Sequence, residues 1–227
     1  MPVPRHIGFV MDGNRRWARA RKLPTLMGHK KGQDVLRELL HEVYGRGVKY
    51  VSVYAFSTEN WSRESAEVGY LMKQVVKGLE KYIDEFHEAG VKVAFLGRRN
   101  DLPEVVGRAI ERAEEKTRSN TKAMLGICFN YGGQAELVDA YKKIVQSGVD
   151  SEGITEELIS ANLYYPEMPP CDLIVRTSGE QRLSNFMLWR SAYSELLFLN
   201  KNWPDMTKQD VTDILEEYEK RSRRFGG

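Results

Sequence analysis

The chain of 227 residues is 41% hydrophobic and 29% charged and has only 8 Pro, a composition typical of a globular protein and not of a disordered one. No apolar stretch is long enough to cross a bilayer, and the first residues carry neither a basic-then-apolar leader nor a cleavage site, so we expect a cytoplasmic protein. Cys128 and Cys171 lie far apart and outside any CxxC pattern, which argues against a disulfide framework or a cysteine-based zinc site.

Strand-like and helix-like segments alternate along the chain. An apolar run over residues 7–11 predicts a strand that ends at Asp12, and the residues after it open a helix. Further strands are predicted over residues 50–56, 91–96, 123–129, 173–175 and 196–199, and further helices over residues 29–44, 64–89, 103–118, 134–146, 155–162 and 208–223. This alternation predicts an α/β fold, an open and mostly parallel sheet with helices on both faces. No linker divides the chain, so we expect one domain over residues 1–227.

The net charge of +2 is unevenly distributed. Residues 1–31 contain eight Lys and Arg against a single acid, Asp12, and the rest of the chain carries an excess of acids. A basic N-terminal arm is often a disordered nucleic-acid tail. Here, however, apolar residues such as Phe9 and Trp17 interrupt the cations. We therefore expect a folded anion-binding site and no nucleic-acid partner.

The common phosphate and hydrolase motifs are missing from the sequence. It contains no GxGxxG, GxxxxGK[ST], GxSxG or HExxH motif and no Asp-Asp pair, so the DDxxD magnesium clamp is absent as well. Ligands of open α/β sheets bind at the carboxyl ends of the strands. The segments that follow residues 11, 56, 129 and 175 are therefore the candidate site.

The first two strand ends combine a lone carboxylate with cations and polar residues. Asp12 is followed by Arg15 and Arg16, which have the fork-shaped donors that phosphate binding needs, and Mg²⁺ often takes a single carboxylate plus substrate phosphates. The alternative is a simple turn with solvated arginines. Residues 57–63 form a polar loop that suits substrate orientation, or equally a cap for the following helix.

The other two strand ends contain glycine turns. Gly132 and Gly133 follow the strand at 123–129 and favour a tight turn into the next helix. Arg176 and Arg182 flank a Ser-Gly turn and could converge on one phosphate group, with Ser184 adding a hydroxyl. Surface arginines are usually solvated, but two of them with Ser and Gly at a strand end favour a second anion site.

Taken together, the sequence resembles the cis-prenyltransferase family, which includes undecaprenyl and dehydrodolichyl diphosphate synthases. The resemblance covers the chain from about residue 6 to its end and is carried by the motifs HIGFVMDGNRRWA, GHKKG, YAFSTENWSR, FNYGG, DLIVRTSGEQRLSNFMLW, AYSEL and RRFGG. It implies an open, mostly parallel α/β sheet that is not a Rossmann domain, with a hydrophobic tunnel beside the sheet. The implied reaction adds isopentenyl diphosphate to an allylic prenyl diphosphate, forms a Z double bond and releases pyrophosphate.

The resemblance also implies roles for individual residues. Asp12 matches the family's catalytic, Mg²⁺-binding aspartate, Glu195 a second Mg²⁺ contact, and Asn60 the residue often assigned to proton removal. The implied substrate-binding residues are Gly13, Asn14, Arg15, Arg16, Trp17 and His29 for the allylic diphosphate, Ser57, Thr58, Glu59, Trp61 and Arg63 beside the reacting carbons, and Arg176, Arg182, Leu183 and Ser184 for isopentenyl diphosphate. Arg224 and Gly226 match a C-terminal element that reaches the partner's site in homodimers.

Two positions depart from the pattern of many bacterial members. Arg15 stands where they often carry Gly, and Thr25 stands where many have an Arg on the allylic diphosphate. We therefore do not assign diphosphate binding to Thr25. Glu67 lies where the family often has an acid near the second substrate.

Several alternatives stay open at this point. The chain could join two five-carbon units irregularly, or it could be a non-catalytic partner subunit, although such subunits tend to lose the aspartate and the arginine clamp. The sequence predicts neither product length nor the preferred primer. A homodimer is expected, with peripheral membrane contact through the apolar product.

Overall fold

The computed structural model describes residues 3–221 of the chain. Six parallel strands form one sheet in the order β3-β4-β2-β1-β5-β6. They are β1 His6–Val10, β2 Tyr50–Ser57, β3 Val91–Leu96, β4 Ala123–Tyr131, β5 Leu173–Arg176 and β6 Glu195–Phe198. The predicted α/β fold with a parallel sheet is therefore confirmed, and each predicted strand is present within two residues of its expected bounds.

The helices cover both faces of the sheet. They are α1 Asn14–Ala20, α2 Thr25–Gly45, α3 Ser65–Glu88, α4 Glu104–Thr117, α5 Gly133–Gln146, α6 Glu156–Asn162 and α7 Lys208–Lys220, with short 3-10 helices at Thr58–Ser62, Ser151–Gly153 and Trp203–Asp205. Within the described residues, no helix combines the length and the apolar character that crossing a membrane requires.

Apolar side chains alternate along the strands and divide the core into two layers. On one face, Ile7 and Phe9 pack with residues of α2 and α7, and Val93 and Phe95 pack with residues of α3 and α4. The opposite face packs against the segment that leads from α6 to β6, including the fully buried Phe186. The chain thus leaves β1 along one face of the sheet and leaves β5 along the other.

This divergence opens a crevice between the ends of β1 and β5, which are neighbours in the sheet. Val10 pairs with Arg176 in the β1–β5 register, so the residues that follow β1 meet those at the end of β5. Such a point, where the chain leaves adjacent strands in opposite directions, is where open α/β sheets bind ligands.

Candidate active site

Asp12 is the first charged residue after β1, and four contacts fix its position. Its Oδ1 accepts a hydrogen bond of 2.7 Å from the Gly13 N–H, and its Oδ2 accepts one of 2.9 Å from Arg176 Nη2. Its carbonyl oxygen accepts from the Thr177 hydroxyl and from the Trp203 N–H. The carboxylate is therefore held at the mouth of the crevice, with its side chain 35% exposed.

Gly13 is required by the turn that aims Asp12. Its φ of +98° lies in the left-handed region, and a Cβ added there would lie 2.4 Å from Oδ1 of Asn202. Only glycine combines this backbone conformation with so close an approach of the chain that follows β6. The turn at Asp12 and Gly13, which the sequence left open as the alternative to a site, is thus part of the site's support.

Arg176, the last residue of β5, is almost completely buried and holds the opposite wall. Its Nη1 donates to the Arg182 carbonyl at 2.5 Å and to the Ser184 hydroxyl at 2.7 Å, and its Nη2 donates to Asp12. Among the described residues its Nε finds no acceptor. That nitrogen is buried, so the cation of Arg176 reaches the crevice through its Nη groups, which are suited to a ligand that brings further oxygen atoms.

The loop after β2 forms a 3-10 helix that carries Asn60 to the crevice. Asn60 Oδ1 accepts from the Ser57 N–H at 3.2 Å, in a reciprocal cap of this helix. Trp61 instead donates from Nε1 to Asn130 at 2.8 Å and packs edge-on against Phe56. The helix therefore presents its amide side chain to the crevice while its tryptophan anchors it to the sheet.

Glu59 is held by the loop that follows β5. Asn185 Nδ2 donates to Glu59 Oε1 at 2.9 Å, while Asn185 Oδ1 accepts from the Gln134 N–H at the start of α5. A Cβ on Gly132 would lie 2.8 Å from both Asn185 Nδ2 and Thr58 Oγ1, so the glycine turn lets three loops meet. Burial raises the pKa of Glu59, but hydrogen bonds, that of Asn185 foremost, outweigh it, and the net pKa lies below its usual value.

A second carboxylate, Glu67 on α3, gathers the cations on the other side of Asp12. Its Oε1 contacts His29 Nε2 at 3.1 Å and Arg63 Nη1 at 3.0 Å, and its Oε2 lies 4.0 Å from Arg15 Nη1. Burial lowers the pKa of His29 despite the carboxylate beside it. The imidazole is therefore neutral at neutral pH, and it can hydrogen-bond without adding charge.

Arg16 and Arg182 meet at the turn that follows β5. Arg16 Nη1 donates to the Ser178 carbonyl at 2.8 Å, and Arg16 Nη2 forms an ion pair with Oε1 of Glu180. Arg182 Nη1 forms an ion pair of 2.6 Å with Oε2 of the same Glu180. One acidic side chain thus joins arginines that the sequence analysis assigns to two different diphosphates.

Two polar clefts adjoin at Asp12. The first, of about 270 Å³, contains the basic residues at the start of α1. Its lining residues are Met11, Asp12, Gly13, Asn14, Arg15, Arg16, Arg19, His29 and Arg63. The second, of about 500 Å³, lies over the ends of β1, β2 and β5. Its lining residues are Val10, Met11, Asp12, Tyr54, Ser57, Glu59, Asn60, Arg63, Arg176, Ser184 and Asn185.

An apolar cavity of about 240 Å³ opens beside both clefts, between α2, α3 and the sheet. It shares Met11, Asn60 and Arg63 with the clefts, and its walls include Leu71, Val75 and Leu79 of α3 and Leu125, Ile127 and Phe129 of β4. Met72 of the same helix does not line the cavity and is buried in the core. The three concavities together suit two anionic groups and one apolar chain.

Some predicted site residues lie outside these clefts in the part of the chain that the structure describes. Trp17 donates from Nε1 to Asp205, Thr58 lies against Gly132, and Leu183 packs beside the buried cluster that contains Phe186. The Arg182 carbonyl oxygen accepts a hydrogen bond from Arg176. The Arg182 side chain is 59% exposed and forms an ion pair with Glu180. Arg224 and Gly226 lie outside the described residues.

Glu195 lies at the other end of the sheet. It begins β6, pairs with Leu173 at the start of β5, and contacts Arg221 at 3.2 Å. Three residues of a parallel strand span about 10 Å, so within one chain Glu195 is well separated from the strand ends that hold Asp12. The structure does not bring these two carboxylates together.

Sequence reasoning assigned no role to Glu180 or to Asn185. Both lie inside the motif at 172–189, but their types gave no signal, because acidic and amide residues in a Ser-Gly turn are usually solvated. Their contacts depend on chain segments more than 100 residues away, Arg16 and Glu59 respectively.

The metal-binding capacity of the site lies with Asp12. In the described residues no three His, Cys, Asp or Glu side chains are grouped so as to hold a metal ion by themselves. The partly exposed Asp12 carboxylate at the junction of the two clefts nevertheless fits Mg²⁺, which is usually held by one or two carboxylates plus substrate phosphates. The donor set therefore suits a cation that arrives with its substrate.

The fold and the site define an α/β protein with two polar clefts that meet at Asp12 beside an apolar cavity. Residues 10–226 match the family model described as "Putative undecaprenyl diphosphate synthase". The chain is 44% identical to an isoprenyl transferase of Listeria innocua (100% of this chain, 92% of that protein) and 45% identical to one of Thermotoga maritima (100% and 98%). The chain thus belongs to the undecaprenyl diphosphate synthase family and is a cis-prenyltransferase.

Solved structures agree with this assignment. The crystal structure of lavandulyl diphosphate synthase from Lavandula x intermedia, in complex with dimethylallyl diphosphate, matches with a TM-score of 0.94 at 30% identity and 99% coverage of each chain. A structure described as a probable undecaprenyl diphosphate synthase from Campylobacter jejuni matches with a TM-score of 0.86 at 28% identity and full coverage of both chains.

Proposed function

We propose that this chain condenses isopentenyl diphosphate with an allylic prenyl diphosphate, forming a Z-polyprenyl diphosphate and releasing pyrophosphate. The observation that carries the proposal is the pair of clefts that meet at Asp12, one basic and one built around Arg176, beside an apolar cavity. A reaction that joins two diphosphates and extends an apolar chain needs these three spaces next to one another.

The allylic diphosphate is assigned to the cleft at the start of α1. Arg15 and Arg16 offer guanidinium groups there, and the neutral His29 offers a hydrogen bond. Ionisation of the allylic C–O bond leaves a carbocation and a pyrophosphate anion, and preorganised cations stabilise that leaving group. Gly13 and Asn14 place the backbone close to the phosphate oxygens.

Isopentenyl diphosphate is assigned to the cleft over β5. Arg176 is fixed by three hydrogen bonds and lines the cleft together with Ser184. These groups hold the second diphosphate so that its alkene lies near the forming cation. Asn60 lines both this cleft and the apolar cavity, which supports a role for its amide between the reacting carbons and the phosphates. An amide is too weak a base to hold the proton, so the C–H proton ends on bound pyrophosphate or water, and the Asn60 amide relays it through its hydrogen bonds.

Mg²⁺ is the proposed cofactor, held by Asp12 together with diphosphate oxygens. When bound, the cation withdraws electron density from the diphosphate and makes it a better leaving group. Glu195 fits this role only if it serves the site of a second copy, because its own strand end lies away from Asp12.

The prenyl chain is assigned to the apolar cavity between α2 and α3. Leu71, Val75 and Leu79 of α3 line the cavity and also pack against the core beside it, so this stripe of the helix can contact the prenyl chain. We infer that this cavity is the beginning of the tunnel and that its depth limits the product.

A second candidate is a short-chain or irregular prenyl diphosphate synthase of the same fold. It is favoured by the similarity to lavandulyl diphosphate synthase, at a TM-score of 0.94. A non-catalytic partner subunit is disfavoured, because Asp12, Asn60 and Arg176 line one cleft. The two catalytic candidates differ in the carbon skeleton of the product.

We further propose one catalytic domain over residues 1–227, acting as a cytoplasmic homodimer that contacts membranes only through its product. The exposed edge strand β6 with Leu196, and the exposed Tyr193 before it, support the dimer. Light scattering after size exclusion tests the dimer, and vesicle flotation before and after turnover tests the membrane contact.

Product analysis tests the function. Purified protein with Mg²⁺ is given labelled isopentenyl diphosphate and geranyl, farnesyl or geranylgeranyl diphosphate, and products are resolved by mass and by double-bond geometry. We expect Z-polyprenyl diphosphates that disappear when the metal is chelated. Absence of product with all three primers, or products with only E double bonds, would contradict the proposal, and a branched ten-carbon product would favour the second candidate.

A further inference from the structure

Glu180 lies beside the two proposed diphosphate sites and joins Arg16, which lines the basic cleft, to Arg182, whose carbonyl oxygen holds Arg176 in the other cleft. Its Oε1 pairs with Arg16 Nη2, and its Oε2 pairs with Arg182 Nη1 at 2.6 Å. The two guanidinium side chains are more than half exposed, whereas the carboxylate between them is 23% exposed. Hydrogen bonds from Arg16 and then from Arg182 hold the pKa of Glu180 below its usual value, so the carboxylate is ionised at neutral pH.

The backbone that carries Glu180 is fixed independently of these ion pairs. Ser178 and Gly179 both adopt positive φ, and their N–H groups donate to the carbonyls of Lys201 and Leu199 at 2.8 and 2.9 Å. Arg16 also donates from Nη1 to the Ser178 carbonyl. The turn therefore stays in place when an ion pair breaks, and only the Glu180 side chain has to move.

Glu180 and a diphosphate compete for the same donors. Arg16 Nη1 donates to the Ser178 carbonyl and Nη2 pairs with Glu180 Oε1, so a phosphate oxygen that approaches the Glu180 side of Nη2 competes with that carboxylate. Once a diphosphate is bound next to it, its negative charge repels the carboxylate from the turn. Repulsion of this kind releases Arg182 as well, so the second diphosphate meets a free guanidinium.

We propose that Glu180 is an internal anion that occupies the diphosphate-binding arginines of the empty enzyme and that its displacement couples the two sites. The inference rests on the proposed function only in that both clefts bind diphosphates. Glu180 acts through Arg16 and Arg182, so it is a positioning residue, and it is expected to speed the release of product pyrophosphate by returning to its place.

The test is the binding of inorganic pyrophosphate with Mg²⁺, measured by titration calorimetry without turnover. We expect Glu180→Gln to lower the dissociation constant of pyrophosphate about three- to tenfold, the size expected for exposed ion pairs. Product inhibition by pyrophosphate should strengthen by the same factor. Glu115→Gln is the matched control, because Glu115 pairs with Arg118 on the surface and lines neither cleft.

A double-mutant cycle separates the contact from a general effect of charge. In an Arg182→Ala background, Glu180→Gln should tighten pyrophosphate binding less than it does in the natural protein, because one of the two competed donors is gone. Unchanged or weaker binding by Glu180→Gln would overturn the inference while leaving the proposed function intact. No binding of pyrophosphate by the natural protein would overturn both.

Discussion

Replacement of Asp12 tests the centre of the proposed site. Its carboxylate accepts hydrogen bonds from Arg176 and from the Gly13 N–H, at 2.9 and 2.7 Å. Asp12→Ala removes both and leaves the Arg176 guanidinium, whose side chain is 5% exposed, without its anion. Arg176 keeps its bonds to the Arg182 carbonyl and to Ser184. We therefore expect the free energy of unfolding to fall by only about 1–3 kcal/mol, with the protein still folded.

The catalytic loss should be larger than the loss of stability. Without Asp12 the site lacks its one carboxylate for Mg²⁺ and a fixed position for Arg176, two parts of the charge stabilisation that the leaving pyrophosphate needs. Removal of one preorganised group of this kind costs about 10²–10³-fold in kcat, and Asp12→Ala removes more than one. Asp12→Asn keeps the size of the side chain, but an amide has only one oxygen, so an NH₂ group faces either Arg176 or the Gly13 N–H.

The assay is incorporation of labelled isopentenyl diphosphate at saturating primer and Mg²⁺, alongside thermal unfolding. Asp213→Ala, on α7 and in neither cleft, is the matched control and should keep normal turnover. Near-normal product from folded Asp12→Ala would refute the assignment. Loss of turnover together with loss of the folded state would show that Asp12 is mainly structural.

Three further outcomes follow from the geometry. Arg182→Ala should raise KM for isopentenyl diphosphate more than it raises KM for the primer. Arg108→Ala is the surface control. Equal effects on the two KM values would mean that the two sites are misassigned. Val75→Phe should fill part of the apolar cavity and shorten the products seen by mass spectrometry. The exposed Val105→Phe should leave product length unchanged. Products of normal length from Val75→Phe would mean that the prenyl chain binds elsewhere. Burial lowers the pKa of His6 to about 4. Between about pH 6.5 and 4 the His6 imidazole is therefore protonated in the unfolded chain but not in the folded protein. The free energy of unfolding should then fall by up to about 3 kcal/mol over this range, and thermal unfolding of His6→Gln should show a flatter pH profile.

The sequence predicted the elements well because each depends on local patterns. The strand at Val91–Leu96 was predicted with its observed bounds, since apolar residues and flanking glycines define it within a few positions. The helix boundaries near Pro24 were harder to predict, because Pro24 separates the seven-residue helix α1 from the long helix α2. The anion clefts could also be anticipated, since the arginines follow strand ends that a parallel sheet brings to one edge.

The roles of individual side chains were harder to predict, because a residue type does not specify its direction. Trp17 and Trp61 were expected at the substrate, but their indole N–H groups are used by Asp205 and Asn130. The motif that contains Glu195 follows the motif that contains Arg176 in the sequence. Glu195 nevertheless begins strand β6, whereas Arg176 ends the neighbouring strand β5.

The sequence by itself determined the alternation of strands and helices, the family and the identity of the charged residues at the strand ends. Only the tertiary structure decided which of these charges meet. Asp12 and Arg176 are 164 residues apart and pair because β1 and β5 are neighbours in register, and at the same turn Glu180 and Ser178 contact Arg16 across 164 and 162 residues. Periodicity and turn signals act over a few residues, whereas contacts across the sheet depend on strand order and on the path of the chain over each face.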